Sequence, residues 1–187
     1  MTEAELINGC IANDRRCQNQ LYKQYFPFMS KIAVRYYENK DDAVASINLA
    51  FLKLLQNIKQ YDTSFALSTY LGRILINTIL TDIKAKSKYS LLFLEEDENV
   101  YAHEFVINES EHQLAYVDIL KVIFCLPILH RNTFNLHVVD GYSHKEVASM
   151  LGISENHSKW IVHDSRKRIM KMLNEMNQTI ERLKKVL

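Results

Sequence analysis

Apolar residues recur at spacings of three and four along the first third of the chain, which is the period of one face of an α-helix. The pattern starts at Ala4 and predicts a first helix, after which Asp14 is placed to cap a second helix. Pro27 lies inside the second pattern, and a proline in a helix interior removes a backbone hydrogen bond. We therefore predict a kink or a break in the second helix.

Two more helices are predicted within the first ninety residues. Asp41 and Asp42 mark the start of the third helix, because acidic side chains favour the positive end of the helix dipole. The apolar pattern resumes near Phe65 or Ser68 and ends at the basic run KAKSK, where the opposite end of the dipole favours cations. Residues 1–90 are thus predicted to form one small helical domain.

The second half of the chain carries another set of amphipathic stretches. A helix begins at Leu114, and Pro127 should stop or bend it. Gly141 and Gly152 then separate three stretches with helical spacing, and the last keeps apolar residues at that spacing as far as Leu187. Such a stripe packs into a core or against a partner helix. Residues 113–187 are predicted to form a second helical domain with a C-terminal helical extension.

The residues around Gly152 match the requirements of a helix-turn-helix. Gly152 suits the left-handed turn, Ala148 lets the two helices approach, and Ser154 is placed to cap the second helix. Val162, Ser165 and Ile169 repeat at spacings of three and four and are predicted to face the core. The side chains left on the outer side are Lys159, Trp160, His163, Arg166 and Lys167. Such a face fits the major groove of DNA, and the alternative is an ordinary helical hairpin with a solvated charged face.

Composition and charge narrow the fold class. Four Gly and two Pro among 187 residues are too few for the tight turns of a sandwich or a barrel, so the chain is predicted to be all-α. The net charge of +1 conceals a segregation, because residues 91–112 carry seven acidic and no basic residues. We predict two small helical domains joined by an acidic linker over residues 91–112, with the C-terminal domain a helix-turn-helix.

Several kinds of site are not expected. The glycines are too dispersed for a GxGxxG or Walker phosphate loop, and none of the seven histidines falls in an HExxH motif. Cys10, Cys17 and Cys125 form no CxxC pair, which argues against structural zinc and a disulfide framework. No apolar run approaches the roughly 20 residues that span a bilayer, and the start MTEAELINGC lacks a secretory signal. We expect a cytoplasmic protein without cofactor, metal, catalytic residue or membrane insertion.

Four stretches of the sequence are similar to one family of transcription proteins. They are LPILHRNTFNLHVVDGYSHKEVASMLGISENHSKWIVHDSRKRI in the second half, and LYKQYFPFMSKIAVRYY, DDAVASINLAFLKLLQNIKQYD and FALSTYLGRILINTILTDIKAKSK in the first. The stretch in the second half resembles the fourth conserved region of sigma-70 family RNA polymerase sigma factors, specifically the extracytoplasmic-function (ECF) group. The other three look like successive helices of that group's second region. The similarity covers about residues 15–90 and 113–173, in family order.

The resemblance implies a two-domain, non-enzymatic factor that directs core RNA polymerase to promoters and initiates transcription by sequence-specific DNA binding. In that family the second-region domain docks on the coiled coil of the largest-subunit clamp and opens the −10 element. The fourth-region domain places a recognition helix in the −35 element. Free members of the group are typically held by an anti-sigma protein. The partners expected from the resemblance are promoter DNA, core polymerase and an anti-sigma protein.

The positions that match the family's motifs provide candidate contact residues. On the recognition helix, the residues expected at the −35 element are Ser154, Asn156, Lys159, Trp160, His163, Arg166 and Lys167. Opening of the −10 element needs cations for the DNA backbone and a surface for an extruded base. The residues expected there are Thr63, Ser64, Arg73, Asn77, Lys84 and Lys86.

The third helix departs from the family pattern. Residues 44–49 hold no charge, whereas family members usually carry an acidic, glutamine-containing stretch there for clamp binding. Polymerase docking is therefore either weaker or made by other residues. The candidates for docking are Asp41, Asp42, Asn48 and Lys53.

The recognition helix also departs from the pattern. Asp164 stands where Arg is common, and Trp160 and Ile161 replace small or polar residues. An Asp that faces phosphate weakens binding, so Asp164 either points aside or makes the helix contact DNA differently. We predict that the substitution Asp164→Arg tightens promoter binding.

The main alternative function is that of a helix-turn-helix transcriptional regulator that does not bind the polymerase core. Such a regulator would carry a ligand-binding or dimerisation domain in its first half. The first ninety residues therefore discriminate between the two hypotheses, because only a sigma factor needs a second-region domain there.

Overall fold

The computed structural model of the chain describes the backbone of residues 1–90 and 119–184 and the side chains of residues 1–86 and 119–175. These residues are helical, with no β-strand among them, which confirms the predicted all-α class. The chain divides into two compact units, Met1–Glu96 and Asp97–Leu187. The acidic linker predicted over 91–112 lies outside the described residues.

Four α-helices and a short 3-10 turn build the first unit. They are α1 (Glu3–Ile11), α2 (Arg15–Ala33), α3 (Lys40–Asn57), the 3-10 turn Ile58–Gln60 and α4 (Leu67–Ser90). Asp14 caps α2 by accepting a hydrogen bond from the backbone N–H of Arg16 at 2.8 Å, as predicted. Asp41 and Asp42 lie in the first turn of α3, whose cap is Asn39. The starts of these helices therefore follow from local capping chemistry.

Of the kink or break predicted at Pro27, the break is wrong, because α2 continues through this residue. Pro27 is exposed, so water can reach the backbone carbonyl that lost its partner. Leu21 and Met29 on the same helix are completely buried. Their burial on the opposite side compensates for the missing hydrogen bond and holds the helix together.

The core of the first unit lies between α2, α3 and α4, which all pack against one another. Its fully buried apolar side chains include Leu21, Met29, Ile47, Leu54, Leu71, Leu75 and Ile79. A polar contact joins the loop after α2 to α3 and α4, since the Tyr37 hydroxyl lies 2.7 Å from both Ser46 Oγ and Asp82 Oδ2. α1 packs on α2 through Gly9, where a Cβ atom would stand only 2.2 Å from Cys17 Sγ.

The second unit consists of four helices and one π-helical turn in the described residues. They are α5 (residues 119–124), α6 (Ile128–Phe134), the π turn Asn135–Val139, α7 (His144–Leu151) and α8 (Glu155–Lys184). Pro127 occupies the N-cap of α6, so the predicted stop at this proline is confirmed. Both α6 and α7 pack against α8, around a core that includes Leu136, Val147 and Ile161.

The connection between α7 and α8 is the predicted helix-turn-helix. Gly152 adopts the left-handed conformation with φ +73°, and its N–H donates to Ala148 O at 2.9 Å. A Cβ atom here would meet nothing within 4 Å, so backbone conformation and not space favours glycine. Ser154 Oγ accepts a hydrogen bond from the N–H of His157 at 3.1 Å and thereby caps α8. The resulting 30-residue helix is about 45 Å long.

Candidate nucleic-acid interface

The residues predicted to contact the −35 element share one exposed face of α8. After the cap residue Ser154, the helix presents Asn156, Lys159, Trp160, His163, Arg166 and Lys167, all of them exposed. Their spacings of three, four and seven residues place them within one side of the helix. We call these six side chains the α8 outer face. The opposite side is buried in the unit, with Val162 and Ser165 against the core, as predicted.

The structure explains why Ile161 departs from the family pattern. It also shows that Ile161 and Trp160 have different surroundings. Ile161 is completely buried, whereas 56% of Trp160 is exposed. Neighbouring residues on a helix differ by about 100° in direction, so one can enter the core while the next faces solvent. Ile161 is therefore a packing residue, and Trp160 is part of the α8 outer face.

An exposed ion pair lies at the start of this face. Lys159 Nζ is 2.7 Å from Glu155 Oε1, and the hydrogen bond and charge of Lys159 hold the pKa of Glu155 below its usual value. Both side chains are about half exposed. Exposed pairs of this type contribute little to stability, so Lys159 can exchange Glu155 for a phosphate group at small cost.

Asp164 points aside from the α8 outer face. Its Oδ2 atom accepts a hydrogen bond from Arg168 Nε at 2.6 Å and lies 3.1 Å from His130 Nε2 on α6. The Arg168 contact, aided by His130, holds the pKa of the carboxyl below its usual range, so Asp164 is ionised at neutral pH. The expectation that Asp164→Arg tightens DNA binding depended on a carboxylate facing phosphate, and this geometry removes its basis.

Three of the residues predicted for the −10 element form a stripe along α4. Arg73, Asn77 and Lys84 are exposed, and their spacings of four and seven place them on one side of the helix. We call these three side chains the α4 stripe. Thr63 and Ser64 lie in the exposed loop that precedes α4, where the Ser64 N–H donates to Asp62 Oδ1 at 2.9 Å.

Lys86 does not belong to the α4 stripe. Its Nζ atom lies 2.8 Å from Asp42 Oδ1 and 3.1 Å from Asp82 Oδ2, and 5.4 Å from the centre of the Tyr37 ring. The side chain therefore faces α3 and ties the two helices together. Lys84 and Lys86 were predicted to act together at the −10 element, but a shift of two residues turns a side chain about 200° around a helix.

The four residues predicted to bind polymerase lie on two sides of α3. Asp41 and Asn48 are seven residues apart and exposed on one side. Asp42 is paired with Lys86, and Lys53 Nζ donates to Thr78 Oγ1 on α4 at 3.0 Å. Asp42 and Lys53 thus contact α4, and the structure does not bring the four side chains together.

Sequence reasoning missed an apolar patch on α3. Leu49 and Leu52 are 46% and 50% exposed, on the same helix as Asn48, whose Oδ1 accepts a hydrogen bond from the Tyr22 hydroxyl at 2.7 Å. We call Leu49 and Leu52 the α3 apolar patch. The prediction looked for charges on this helix. The informative signal was that both leucines fall outside the stripe Ala43, Ile47, Ala50 and Leu54, which already supplies a buried face.

Two other classes of site find no support in the part of the chain that the structure describes. Its His, Cys, Asp and Glu side chains form no group of three that could hold a metal ion. None of its helices combines the length and apolar character needed to cross a bilayer. Cys10, Cys17 and Cys125 are free thiols, the first two buried and the third exposed.

Both halves of the chain match sequence profiles of one family. Sigma-70 region 2 matches residues 21–89, and sigma-70 region 4 matches residues 116–169, which together are about two thirds of the chain. The ECF RNA polymerase sigma factor SigM of Mycobacterium tuberculosis is 23% identical over 176 residues, which are 94% of this chain and 87% of SigM. The chain belongs to the sigma-70 family, within its ECF group.

Solved structures of sigma factors share this fold. The sigma factor RpoE of Bartonella quintana, solved in complex with the anti-sigma factor NepR, aligns with a TM-score of 0.57 at 18% identity, over 83% of this chain and 96% of RpoE. CnrH, solved in complex with the cytosolic domain of CnrY, aligns with a TM-score of 0.50 at 17% identity, over 91% of this chain and 96% of CnrH. The predicted fold class is confirmed.

The function predicted from the sequence is confirmed at the level of an ECF RNA polymerase sigma factor. Sigma factors are transcription initiation factors and not enzymes. The match to region 2 in the first half is the discriminating observation, because a regulator that never binds polymerase would have no use for that domain. The alternative of a polymerase-independent regulator is therefore disfavoured.

Proposed function

We propose that the chain recognises promoters with two surfaces, the α8 outer face at the −35 element and the α4 stripe with its preceding loop at the −10 element. In this proposal residues 1–90 act as the region 2 domain, residues 113–187 as the region 4 domain with a helical extension, and residues 91–112 as their linker. The observation that carries the proposal is the common exposed face of six predicted contact residues on α8.

The chemistry of the α8 outer face supports duplex recognition. Lys159, Arg166 and Lys167 supply three positive charges for phosphates or base edges, while Asp164 is turned away from them. The N-terminal turns of a recognition helix reach the bases, and these turns carry Asn156. An interface built from these cations binds DNA with a strong dependence on salt.

The loop before α4 supports the handling of an unpaired base at the −10 element. Phe65 is 64% exposed in this loop beside the hydroxyls of Thr63 and Ser64. The rings of Tyr61 and Tyr70 pack in a tilted arrangement with centroids 5.3 Å apart, and the Tyr61 hydroxyl donates a hydrogen bond to the backbone carbonyl of Phe65. An exposed ring on a fixed loop offers a stacking surface, and the α4 stripe offers cations for the backbone.

Docking on the polymerase clamp is proposed for the exposed side of α3. Asp41 and Asn48 provide polar contacts there, and the α3 apolar patch provides area to bury. Burial of two leucines replaces the acidic contacts that are common in the family, since apolar surface needs no charged partner. Asp42 and Lys53 act indirectly, because both fix α3 against α4.

The remaining partners and the location follow from the same function. RpoE and CnrH were each solved with a partner protein, an anti-sigma factor in the case of RpoE, which supports an anti-sigma protein as a partner of this chain. The chain acts in the cytoplasm, where core polymerase and promoter DNA are present. It supplies no catalytic residue and holds no cofactor, because polymerase catalyses RNA synthesis.

Transcription in vitro tests this proposal. Core polymerase is incubated with promoter fragments with and without the full chain, and we expect initiation only when the chain is added. Arg166→Ala should reduce initiation and affinity about ten-fold at moderate salt. The matched control is Arg168→Ala, a cation on the same helix that pairs with Asp164 and lies off the α8 outer face.

Two results would contradict the proposal. One is that the chain fails to bind core polymerase in a pull-down. The other is that Arg168→Ala and Arg166→Ala reduce initiation equally, which would separate promoter binding from the α8 outer face. A dimer that protects a palindromic site without polymerase would support the regulator hypothesis instead.

A further inference from the structure

The single tryptophan of the chain lies in an unusual place for so large an apolar side chain. Trp160 is the sixth residue of α8 and is 56% exposed, among the cations and polar groups of the α8 outer face. Indole rings bury more area than other side chains and usually find a contact surface. Its position in the N-terminal turns is where a recognition helix meets base edges.

Two histidine rings fix the position of the indole. The His157 ring lies one turn before it on α8, with centroids 5.9 Å apart, and the His130 ring approaches its edge from α6 at 6.0 Å. His130 is itself held by Asp164, at 3.1 Å from its Nε2 atom, and Asp164 by Arg168. The indole therefore projects from a supported site on the unit and loses little side-chain freedom when it binds.

The major groove offers one apolar group to such a ring. Base pairs present hydrogen-bond donors and acceptors there, and the C5-methyl group of thymine is the exception. An exposed indole that is held toward the groove gains free energy by covering this methyl group, whereas it leaves polar base edges without partners. We propose that Trp160 contacts a thymine methyl group in the −35 element and gives this sigma factor a preference for T·A at that position.

This inference rests on the proposed role of α8 and adds a chemical specificity to it. The experiment uses holoenzyme assembled from core polymerase and the full chain, and a fluorescein-labelled duplex selected by that holoenzyme from random upstream sequences. Each thymine of the selected element is replaced in turn by deoxyuridine, which removes only the methyl group. We expect binding, measured by fluorescence anisotropy, to weaken about four-fold at one position, the effect of losing one buried methyl group.

Variants of the full chain assign that effect to the indole. In Trp160→Ala the ratio of affinities for thymine and uracil at that position should fall to about one, while Trp160→Phe should keep part of the preference. Lys167→Ala is the matched control, because loss of a phosphate contact weakens binding to both duplexes equally and leaves the ratio unchanged. Circular dichroism is expected to show an intact fold for Trp160→Ala, since the side chain is largely outside the core.

The possible failures are distinguishable. If no thymine methyl affects wild-type binding, or if Trp160→Ala keeps the same ratio, the inference is overturned while the role of α8 stands as long as Arg166→Ala still weakens binding. If Trp160→Ala instead weakens binding to core polymerase, the ring is a protein contact and the inference fails. If the holoenzyme selects no upstream sequence at all, both the inference about Trp160 and the proposed function are overturned.

Discussion

The α8 outer face and the α3–α4 pair use charged residues in opposite ways. On α8 the predicted cations Lys159, Arg166 and Lys167 all face outward. On α3 and α4 two of the predicted contact residues, Asp42 and Lys86, face each other across the helix pair. In the described part of its unit α8 buries one stripe, Ser158, Ile161, Val162 and Ser165, and its outer cations lie away from α6 and α7, whereas α3 and α4 pack against each other and against α2.

The difference shows when a charge in a sequence indicates a ligand. A helix with one buried side leaves a wide arc for binding, and its charges point to a partner. A helix that packs against two neighbours has positions at the edges of its buried surface. Long charged side chains at these positions contact the neighbouring helix and form interhelical ion pairs.

The adjacent residues Ile161 and Trp160 should respond to truncation in opposite ways. Ile161→Ala is expected to destabilise the second unit by about 2–5 kcal/mol, because it empties a fully buried site, and to affect DNA binding only through the fold. Trp160→Ala should change stability little and DNA recognition strongly. Chemical denaturation followed by circular dichroism measures both, and equal losses of stability would show that the indole also belongs to the core.

Arg166 and Lys86 should separate DNA binding from helix packing. Arg166→Ala is expected to cost about 1–3 kcal/mol in promoter affinity and to lower the salt dependence of binding by about one phosphate contact. Lys86→Ala should leave that salt dependence unchanged, because its ammonium group already binds Asp42 and Asp82. Titrations of the promoter duplex at several salt concentrations test this. A reduced salt dependence for Lys86→Ala would mean that Lys86 leaves α3 to contact DNA.

Mild acid should affect the two units differently. Residues 1–90 contain no histidine, whereas in the second unit the rings of His137 and His144 stack with centroids 3.8 Å apart. Burial, followed by the charges of His137 and Lys159, lowers the pKa of His144 from 6.5. The unfolded chain therefore binds more protons than the native unit below pH 6.5, and the stability of the second unit falls as pH drops through the native pKa.

The measurement is urea denaturation between pH 5 and 8, followed by the fluorescence of Trp160, which reports on the second unit alone. We expect the midpoint to fall below about pH 6.5 and to stay constant above it. The control His144→Gln cannot be protonated and should show a weaker dependence. If His144→Gln loses stability with pH as steeply as the wild type does, the stacked histidines are not the cause.

Asp164→Arg should have the smallest effect on DNA and a modest effect on the fold. The substitution removes the acceptor of Arg168 and His130 and places a third cation beside them, so the Tm of the second unit should fall. Promoter affinity should not increase beyond the general effect of added positive charge, for which Gln178→Arg, further along α8, is the control. Tighter binding than this control would show that position 164 faces phosphate.

Much of the fold was predictable because helices are specified locally. Asp14, Asn39, Thr2 and Ser143 cap the helices that follow them, and Gly152 ends α7 in the left-handed conformation. The prediction of a break at Pro27 was wrong because the packing of α2 stabilises the helix by more than one lost hydrogen bond costs. A local sequence signal predicts reliably where a helix begins or ends. It predicts less reliably whether a helix is interrupted in its interior, because there the burial of apolar side chains also contributes.

Less of the candidate site was predictable on α3 and α4 than on α8. The three-and-four spacing of one buried stripe was enough to assign the α8 outer face, including the separation of Lys159 from Val162. Sequence alone did not reveal that Lys53 reaches Thr78, because the distance between α3 and α4 depends on the packing of the whole unit. The α3 apolar patch was missed because the prediction looked for charges on this helix, although both leucines fall outside its buried stripe.

The helices, their caps, the helix-turn-helix and the family of the chain could be predicted from the sequence, because these depend on short-range spacing and residue type. The tertiary structure decided which charges face a ligand and which face another helix, as Asp164 and Lys86 demonstrate. The physical reason is that the direction of a side chain follows from helical geometry, whereas its partner depends on which element packs beside it.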